Sequence, residues 1–221
     1  FEQISFDLYM IFLMRKMLAG SNGTDKEISM PFDKRRNGFI MSEGSYVFIM
    51  ENLEFALSRG ARIYGEISGF ATIFAGNKMY HTGKRIEKAK VAMQKCLDDA
   101  NLSIHDVDLI NANGNSGDVS DLIEAKAIGE LFETGDKEIP VYAVKSVVGE
   151  CYGASGAMQT AAAVLSIHNS LVPPTINYEE KDPECDVNIT KEKQVRDINT
   201  ALVNSFDLSG NNSCLVLKKY E

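Results

Sequence analysis

The sequence contains few of the residues that usually mark metal and redox sites. Its 221 residues include only three histidines and four cysteines, and no two cysteines have the Cys-x-x-Cys spacing. This argues against a zinc knuckle or a thioredoxin-type site. His81, His105 and His168 share no spacing typical of metal ligands, so we expect each to be structural or solvated. We expect four free, buried thiols in a reducing compartment, and therefore a cytoplasmic protein.

Basic residues and long apolar runs are also scarce. Lys and Arg number 23 against 31 Asp and Glu, which gives a net charge of -8. An acidic chain is a poor candidate for binding a phosphate backbone, so we expect no nucleic-acid partner. A membrane span needs about 20 apolar residues. The longest apolar segment, 6–18, is shorter and interrupted by Asp7, Arg15 and Lys16. It also lacks a basic leader, so we expect neither a membrane span nor a signal peptide.

The periodicity of apolar residues predicts alternating helices and strands. In 84–100, for example, Ile86, Ala89, Met93 and Leu97 lie on one helical face. The predicted helices are 6–18, 52–59, 84–100, 120–132 and 153–167. The predicted strands are 45–50, 61–74, 106–112, 141–144, 200–205 and 214–218, with a hairpin loop at 207–212. This alternation is typical of an α/β layered fold.

Two of these segments are apolar on every side. Residues 45–50 form a continuous apolar run between Gly44 and Glu51, which predicts a buried strand. The helix at 153–167 is rich in alanine and glycine, so we expect it to be buried with its backbone close to its neighbours.

Five short segments follow one another at a characteristic spacing. They are Pro31-Phe32-Asp33-x-x-Arg36-x-Gly38-Phe39 with Glu43-Gly44; Ile110-Asn111-Ala112-Asn113-Gly114-Asn115-Ser116 with Asp121 and Glu124; Lys145-Ser146-Val147-Val148-Gly149-Glu150 with Gly153-Ala154-Ser155-Gly156-Ala157; Val172-Pro173-Pro174-Thr175-Ile176-Asn177 with Asp182-Pro183-Glu184-Cys185-Asp186; and Asn204-Ser205-Phe206 with Gly210 and Asn212. Together they resemble the β-ketoacyl synthases of the thiolase superfamily, the condensing enzymes of fatty-acid and polyketide synthesis.

The resemblance implies the fold and its division. It implies an α/β, thiolase-like layered fold (α-β-α-β-α in the family), present here mainly as its C-terminal half. Residues 1–62 correspond to the end of the N-terminal half and residues 63–221 to the C-terminal half. Because the sequence begins at Phe1, we expect either a processed chain or a sequence that lacks the start of the gene product.

The resemblance also shows where this chain departs from the catalytic pattern. The family uses a cysteine nucleophile, which lies upstream of the Pro31 segment and is not among these residues. It uses two histidines to hydrogen-bond the malonyl thioester and stabilise the enolate, and those positions hold Asn113 and Glu150 here. An amide does not titrate near neutrality, and an ionised carboxylate only accepts hydrogen bonds. Losing one oxyanion donor costs roughly 10²–10³ in rate, so condensation by this chain is implausible.

Several residues at these positions have alternative interpretations. Lys145 keeps the family's lysine, and we favour an ion pair with Glu124 or Glu150 over a catalytic role. Glu150 would act as a general base only if burial raised its pKa. Cys151 is expected to be a packed thiol. The family's acidic residue on the following helix is Gln159 here.

The C-terminal loop also differs. The family has a glycine-rich loop whose second phenylalanine gates the acyl pocket. The gate remnant here is Phe206, Asp207 and Leu208, which lacks the gating ring and two glycines. With less freedom to adopt positive φ, the swinging gate is expected to be lost.

These departures match the family's chain-length factors, which have damaged active sites and pair with an active ketosynthase. We therefore expect a non-catalytic subunit of an obligate heterodimer that helps set polyketide chain length. It would need no cofactor of its own, because the phosphopantetheine arm of an acyl carrier protein enters the partner ketosynthase. Basic runs at 34–36 and 84–85 are either carrier-docking residues or a solvated surface. Alternative hypotheses are a catalytic half of a split ketosynthase and a scaffold that only stabilises the ketosynthase.

Overall fold

The computed structural model describes residues 2–21, 23, 27–76, 82–132 and 138–220. The helices are α1 (Phe6–Met14), α2 (Leu53–Ser58), α3 (Thr82–Asp99), α4 (Asp118–Phe132), α5 (Lys145–Val148) and α6 (Ser155–Asn169). The strands are β1 (Glu66–Phe74), β2 (Leu109–Asn111), β3 (Val141–Tyr142), β4 (Leu171–Val172), β5 (Gln194–Val195), β6 (Thr200–Phe206) and β7 (Asn211–Lys218).

Five of the strands form one mixed sheet in the order β1-β7-β6-β2-β3. β2 is parallel to both β3 and β6, whereas β7 is antiparallel to its neighbours β6 and β1. The predicted hairpin joins β6 to β7, with Phe206 opposite Asn212. The ends of β2 and β6 therefore lie side by side, which brings the loop after Asn111 next to the loop after Phe206.

The sheet is covered on both faces, which produces the layered arrangement predicted from the sequence. Along β6, Leu202 belongs to the apolar core on the α3 and α4 side. Its neighbours Ala201 and Val203 belong to the core on the α6 side. Because successive residues of a strand point to opposite faces, the sheet is packed between two helical layers. The predicted α/β layered fold is thus present in the described residues.

Residues 2–44 pack against the sheet domain through short backbone pairings and an aromatic cluster. Met41 pairs with Glu150 and Asp33 pairs with Lys181, whereas Phe39 pairs with Leu18 inside this segment. The rings of Phe12, Phe39 and Tyr152 contact one another with centroid separations of 5.0–5.7 Å. The proposed boundary between 1–62 and 63–221 remains a prediction.

The expected strand at 45–50 is wrong for this chain. No strand is formed there, and Val47, Ile49 and Met50 are exposed rather than buried. An apolar run becomes a strand only when neighbouring strands take up its backbone hydrogen bonds, and none of the described strands lies beside it. The helix at 153–167 is also only partly buried, since Leu165 of α6 is exposed.

The predicted thiols are confirmed, because all four cysteines are free and buried. Among the described residues, no helix is both long and apolar enough to cross a membrane. In the same part of the chain no group of three metal-ligating side chains is found. His81 lies outside the described residues.

The close contact of α3 with β1 at Gly69 generates a stability prediction. A Cβ at Gly69 would lie 2.5 Å from the carbonyl oxygen of Cys96. We expect Gly69→Ala to lower the free energy of unfolding by about 1–3 kcal/mol, because the helix backbone has to move. The control is Gly83→Ala in the first turn of α3, where nothing lies within 4 Å. It should be neutral or stabilising by up to about 1 kcal/mol. Equal unfolding midpoints in denaturant would contradict this packing.

Candidate functional site

The structure brings Asn113, Lys145 and Glu150 into one buried cluster. The Lys145 ammonium Nζ lies 2.8 Å from Glu150 Oε2 and donates to Asn113 Oδ1, also at 2.8 Å. All three residues are buried. The expected ion pair therefore forms with Glu150. Asn113 and Glu150, which lie where the family has its two histidines, therefore both accept hydrogen bonds from Lys145.

The turn at Gly149 places Glu150 beside Lys145, five positions earlier. Gly149 has a φ of 80°, and a Cβ there would lie 2.9 Å from the carbonyl oxygen of Ile40. The Glu150 backbone then pairs with the segment before Gly44, donating to Ile40 and accepting from Ser42. Glycine is thus required where α5 ends, and this turn directs the Glu150 side chain back to the ammonium.

The remaining hydrogen bonds of Glu150 also favour its ionised form. Glu150 Oε1 accepts from the Tyr152 N–H at 3.0 Å and from Ser155 Oγ at 2.5 Å. Burial acts to raise the pKa of this carboxyl, but the Lys145 charge and these hydrogen bonds outweigh it, and the pKa lies below its usual value. The general-base interpretation of Glu150 depended on a raised pKa, so this direction does not support it.

Two further buried carboxylates hold the loop that carries Asn113. Glu124 accepts from the backbone N–H groups of Asn113 and Gly114, both at 2.8 Å, and from Asn204 Nδ2 at 2.9 Å. Asp121 accepts from the N–H groups of Phe32, Asn115 and Ser116. Burial raises the pKa of Asp121 to about 6 and that of Glu124 to about 7. Glu124 is therefore a loop anchor and is not the partner of Lys145.

Gln159 occupies a buried, neutral position on α6. Its Nε2 donates to the carbonyl oxygens of Ala112 and Asn204, at 2.8 and 2.7 Å. Its backbone carbonyl accepts from Asn111 Nδ2. Gln159 thereby joins the ends of β2 and β6 without adding charge.

The gate remnant, Phe206, Asp207 and Leu208, is hydrogen-bonded to the same buried cluster. The Phe206 N–H donates to Asn113 Oδ1 at 3.2 Å. The Asp207 carboxylate accepts from Ser209 Oγ, from the N–H groups of Gly210 and Asn211, and from Asn211 Nδ2. Leu208 packs against the core of Phe12, Leu18 and Phe39. Burial opposes ionisation of Asp207, but these hydrogen bonds lower its pKa. These hydrogen bonds stabilise the loop in the conformation that the structure describes.

Sequence reasoning missed two features of this site. The hydrogen bond from Ser155 to Glu150 was only weakly indicated by the sequence, which shows a serine within a run of small residues. The turn at Asp207 was indicated more clearly, since Asp207, Ser209 and Asn211 have the spacing of side chains that cap a tight turn. Cys151 behaves as predicted: it is buried, with its Sγ 2.9 Å from Ser42 Oγ.

The basic run at 34–36 is neutralised within the chain. Lys34 pairs with Glu180, and Arg35 pairs with Asp33 and Glu179. The guanidinium of Arg36 pairs with Asp182 at 2.6 Å. This run therefore presents little net positive charge to an acidic partner.

Comparison with known proteins places these features in a family. The family model described as beta-ketoacyl synthase, C-terminal domain, matches residues 64–179, just over half of the chain. The 3-oxoacyl-[acyl-carrier-protein] synthase 2 of Staphylococcus aureus (strain COL) is 41% identical over 192 residues, which cover 86% of this chain and 46% of that protein. The chain thus spans about half the length of the curated relatives it matches.

Two solved structures are similar to this chain over its whole length. A type II polyketide synthase acyl-carrier protein in complex with its ketosynthase bound to the hexaketide gives a TM-score of 0.90 at 30% identity, covering 100% of this chain and 55% of that one. The ishigamide ketosynthase/chain length factor gives a TM-score of 0.88 at 30% identity, covering 100% of this chain and 52% of that one.

The buried ion pair generates a prediction about stability. Glu150→Gln leaves the Lys145 ammonium buried without a counter-charge, so we expect the free energy of unfolding to fall by about 3–5 kcal/mol. Lys145→Met combined with Glu150→Gln removes both charges and should cost clearly less than the two single changes added together. Glu180→Gln is the matched control at an exposed pair and should cost no more than about 1 kcal/mol. Denaturant unfolding of Glu150→Gln, Lys145→Met, the double variant and Glu180→Gln measures this, and additive single changes would contradict a coupled pair.

Proposed function

The chain belongs to the β-ketoacyl synthase family, and we propose that it is a non-condensing chain-length factor. In this role it pairs with an active ketosynthase in the cytoplasm and helps set the length of a polyketide built on a carrier protein. The two family activities open to it are fatty-acid and polyketide synthesis. The likeness to the ketosynthase/chain length factor structure favours the second.

The closed cluster of Asn113, Lys145 and Glu150 is the observation that carries this proposal. Stabilising an enolate needs hydrogen-bond donors directed at the developing negative charge. Here Asn113 Oδ1 and Glu150 Oε2 both accept from the lysine. The ionised Glu150 carboxylate would repel both the enolate and the malonyl carboxylate. The site is therefore suited to holding the fold together and is unsuited to decarboxylation.

The need for a partner is supported by the apolar surface of residues 2–62. Large apolar patches on a protein surface mark interfaces. The exposed apolar side chains in this region are Phe6, Tyr9, Ile11, Leu13, Met14, Ile28, Val47, Phe48, Ile49, Met50, Leu53, Phe55 and Leu57. We propose that the ketosynthase subunit covers them in an obligate heterodimer.

Carrier-protein docking is proposed to occur mainly on the ketosynthase. The basic side chains at 34–36 are paired with carboxylates of this chain, and the chain as a whole has a net charge of -8. An acidic carrier gains little from such a surface. The phosphopantetheine arm then enters the partner, and this chain contributes no cofactor.

Co-expression with the active ketosynthase and the carrier protein tests the proposal. We expect the chain to co-purify with the ketosynthase in a defined ratio. We also expect the mass of the main polyketide to change when this subunit is replaced by a related one. Failure to co-purify would contradict the heterodimer. Unchanged product lengths after the exchange would favour the alternative, a scaffold that only stabilises the ketosynthase.

A second candidate is the catalytic half of a split ketosynthase, favoured by the 41% identity to a named synthase. We expect the natural chain, supplied with a ketosynthase N-terminal half, to give no condensation, because Asn113 and Glu150 cannot replace the two histidines. The variant Asn113→His with Glu150→His is the comparison and should condense if only these residues are lacking. Condensation by the natural chain would establish the split enzyme instead.

A further inference from the structure

A cleft of about 390 Å³, the α4 cleft, lies between α4 and the segment 184–188. Its apolar lining includes Ile110 of β2, Val141 of β3, Ile128 of α4 and Val187. The first three of these belong to the buried core on the α3 and α4 side of the sheet. No residue of the cluster of Asn113, Lys145 and Glu150 lines the cleft. Pockets that bind small molecules have volumes of about 300–1,000 Å³ and a mostly apolar lining, so this cleft is large enough for a small ligand.

Gly129 leaves space beside this cleft. It lies inside α4 without a positive φ, so the backbone conformation does not require glycine. Glycine is less favourable than alanine in the interior of a helix. A Cβ at Gly129 would meet nothing nearer than the carbonyl oxygen of Asp186, at 3.9 Å, so close packing does not require glycine either. The effect of glycine at this position is to keep the wall of the cleft free of a side chain.

Carboxylates outnumber ammonium groups in the cleft. Its charged lining residues are Lys126, Glu130, Glu184 and Asp186. Two lysines outside the lining pair with two of these carboxylates, Lys90 with Glu130 at 3.2 Å and Lys181 with Asp186 at 2.6 Å. The hydrogen bond from Lys181 lowers the pKa of Asp186, and the charge of Lys126 adds to this effect. Glu184 forms no ion pair among the described residues, so its negative charge is left for a ligand.

We propose that the α4 cleft binds a small molecule with an apolar body and one cationic group, of the alkylamine or arylalkylamine class. The apolar body lies on Ile110, Ile128 and Val141, and the ammonium group meets the carboxylate of Glu184. This site goes beyond the proposed function and needs no partner subunit.

Ligands of other charge fit the cleft less well. An anion would be attracted by Lys126 alone and would face three carboxylates, and like charges placed together disfavour binding. A neutral molecule would gain the apolar lining but nothing from the carboxylate of Glu184. A cationic group is therefore the feature that distinguishes the expected ligand.

Titration of the isotope-labelled full chain with phenethylamine, followed through its backbone amide NMR signals, tests the proposal. Phenylethanol and phenylpropanoate are the neutral and anionic probes of similar size. We expect phenethylamine to shift the amide signals of 126–130 and 184–188. We expect it to bind more tightly than phenylpropanoate by roughly tenfold or more, because the two probes differ mainly in the sign of their charge.

Two kinds of variant separate the apolar part of the site from the charged part. Gly129→Leu places a side chain in the cleft and should abolish the shifts caused by phenethylamine. Gly129→Ala should raise the unfolding midpoint and weaken binding less, which keeps the test valid if the leucine disturbs α4. Glu184→Gln should weaken phenethylamine by roughly threefold to fivefold and leave phenylethanol unchanged. Its matched control is Glu192→Gln, at an exposed carboxylate outside the cleft, which should bind like the natural chain.

Three outcomes would overturn the proposal. Equal binding of the three probes would overturn the cationic class of the ligand. Shifts that fall outside 126–130 and 184–188, or no shifts with any probe, would overturn the site. Shifts that persist unchanged in both Gly129 variants would overturn it as well. None of these results bears on the proposed function, because the measurement involves no ketosynthase subunit.

Discussion

The buried ammonium of Lys145 is the constraint on which the rest of the site depends. A charge taken out of water has to be neutralised where it lies, and Glu150 does this at 2.8 Å. The same contact commits Asn113 Oδ1 to the lysine and leaves the carboxylate ionised. Since Asn113 also accepts from Phe206, the ion pair fixes the loop after β6 as well. One electrostatic requirement thus stabilises the loops at the end of the sheet and keeps an ionised carboxylate where condensation needs a hydrogen-bond donor.

Outside the site, the chain divides into a part with its own buried core and a part with exposed apolar side chains. Its five-stranded sheet is covered on both faces, so residues 64–220 contain a core of their own. In residues 47–57, by contrast, most apolar side chains face outward. A half with an exposed apolar surface is suited to assembly. On the proposed function, its effect on a product is exerted through the interface with the ketosynthase and not through chemistry of its own.

Much of the fold could be predicted from local sequence patterns, and each wrong prediction has a physical cause. The apolar spacing in α3 and the turn residues between β6 and β7 predicted those elements because their signals are local. The run at 45–50 predicted a buried strand, and the structure shows neither a strand nor burial there, because pairing depends on neighbouring strands, which a local pattern does not reveal. Glu150 was identified as a site residue. The direction of its pKa depends on the turn at Gly149 and on Ser155, which only the folded chain brings together.

The central claim is that the cluster of Asn113, Lys145 and Glu150 cannot stabilise an enolate. Its most direct test is the release of carbon dioxide from a malonyl carrier protein by the assembled complex. For this test the two histidines of the ketosynthase subunit are replaced by alanine, so that only this chain could act. The account predicts decarboxylation no faster than in a control without the complex. Release above that background, lost when Glu150 is changed to Gln, would contradict it.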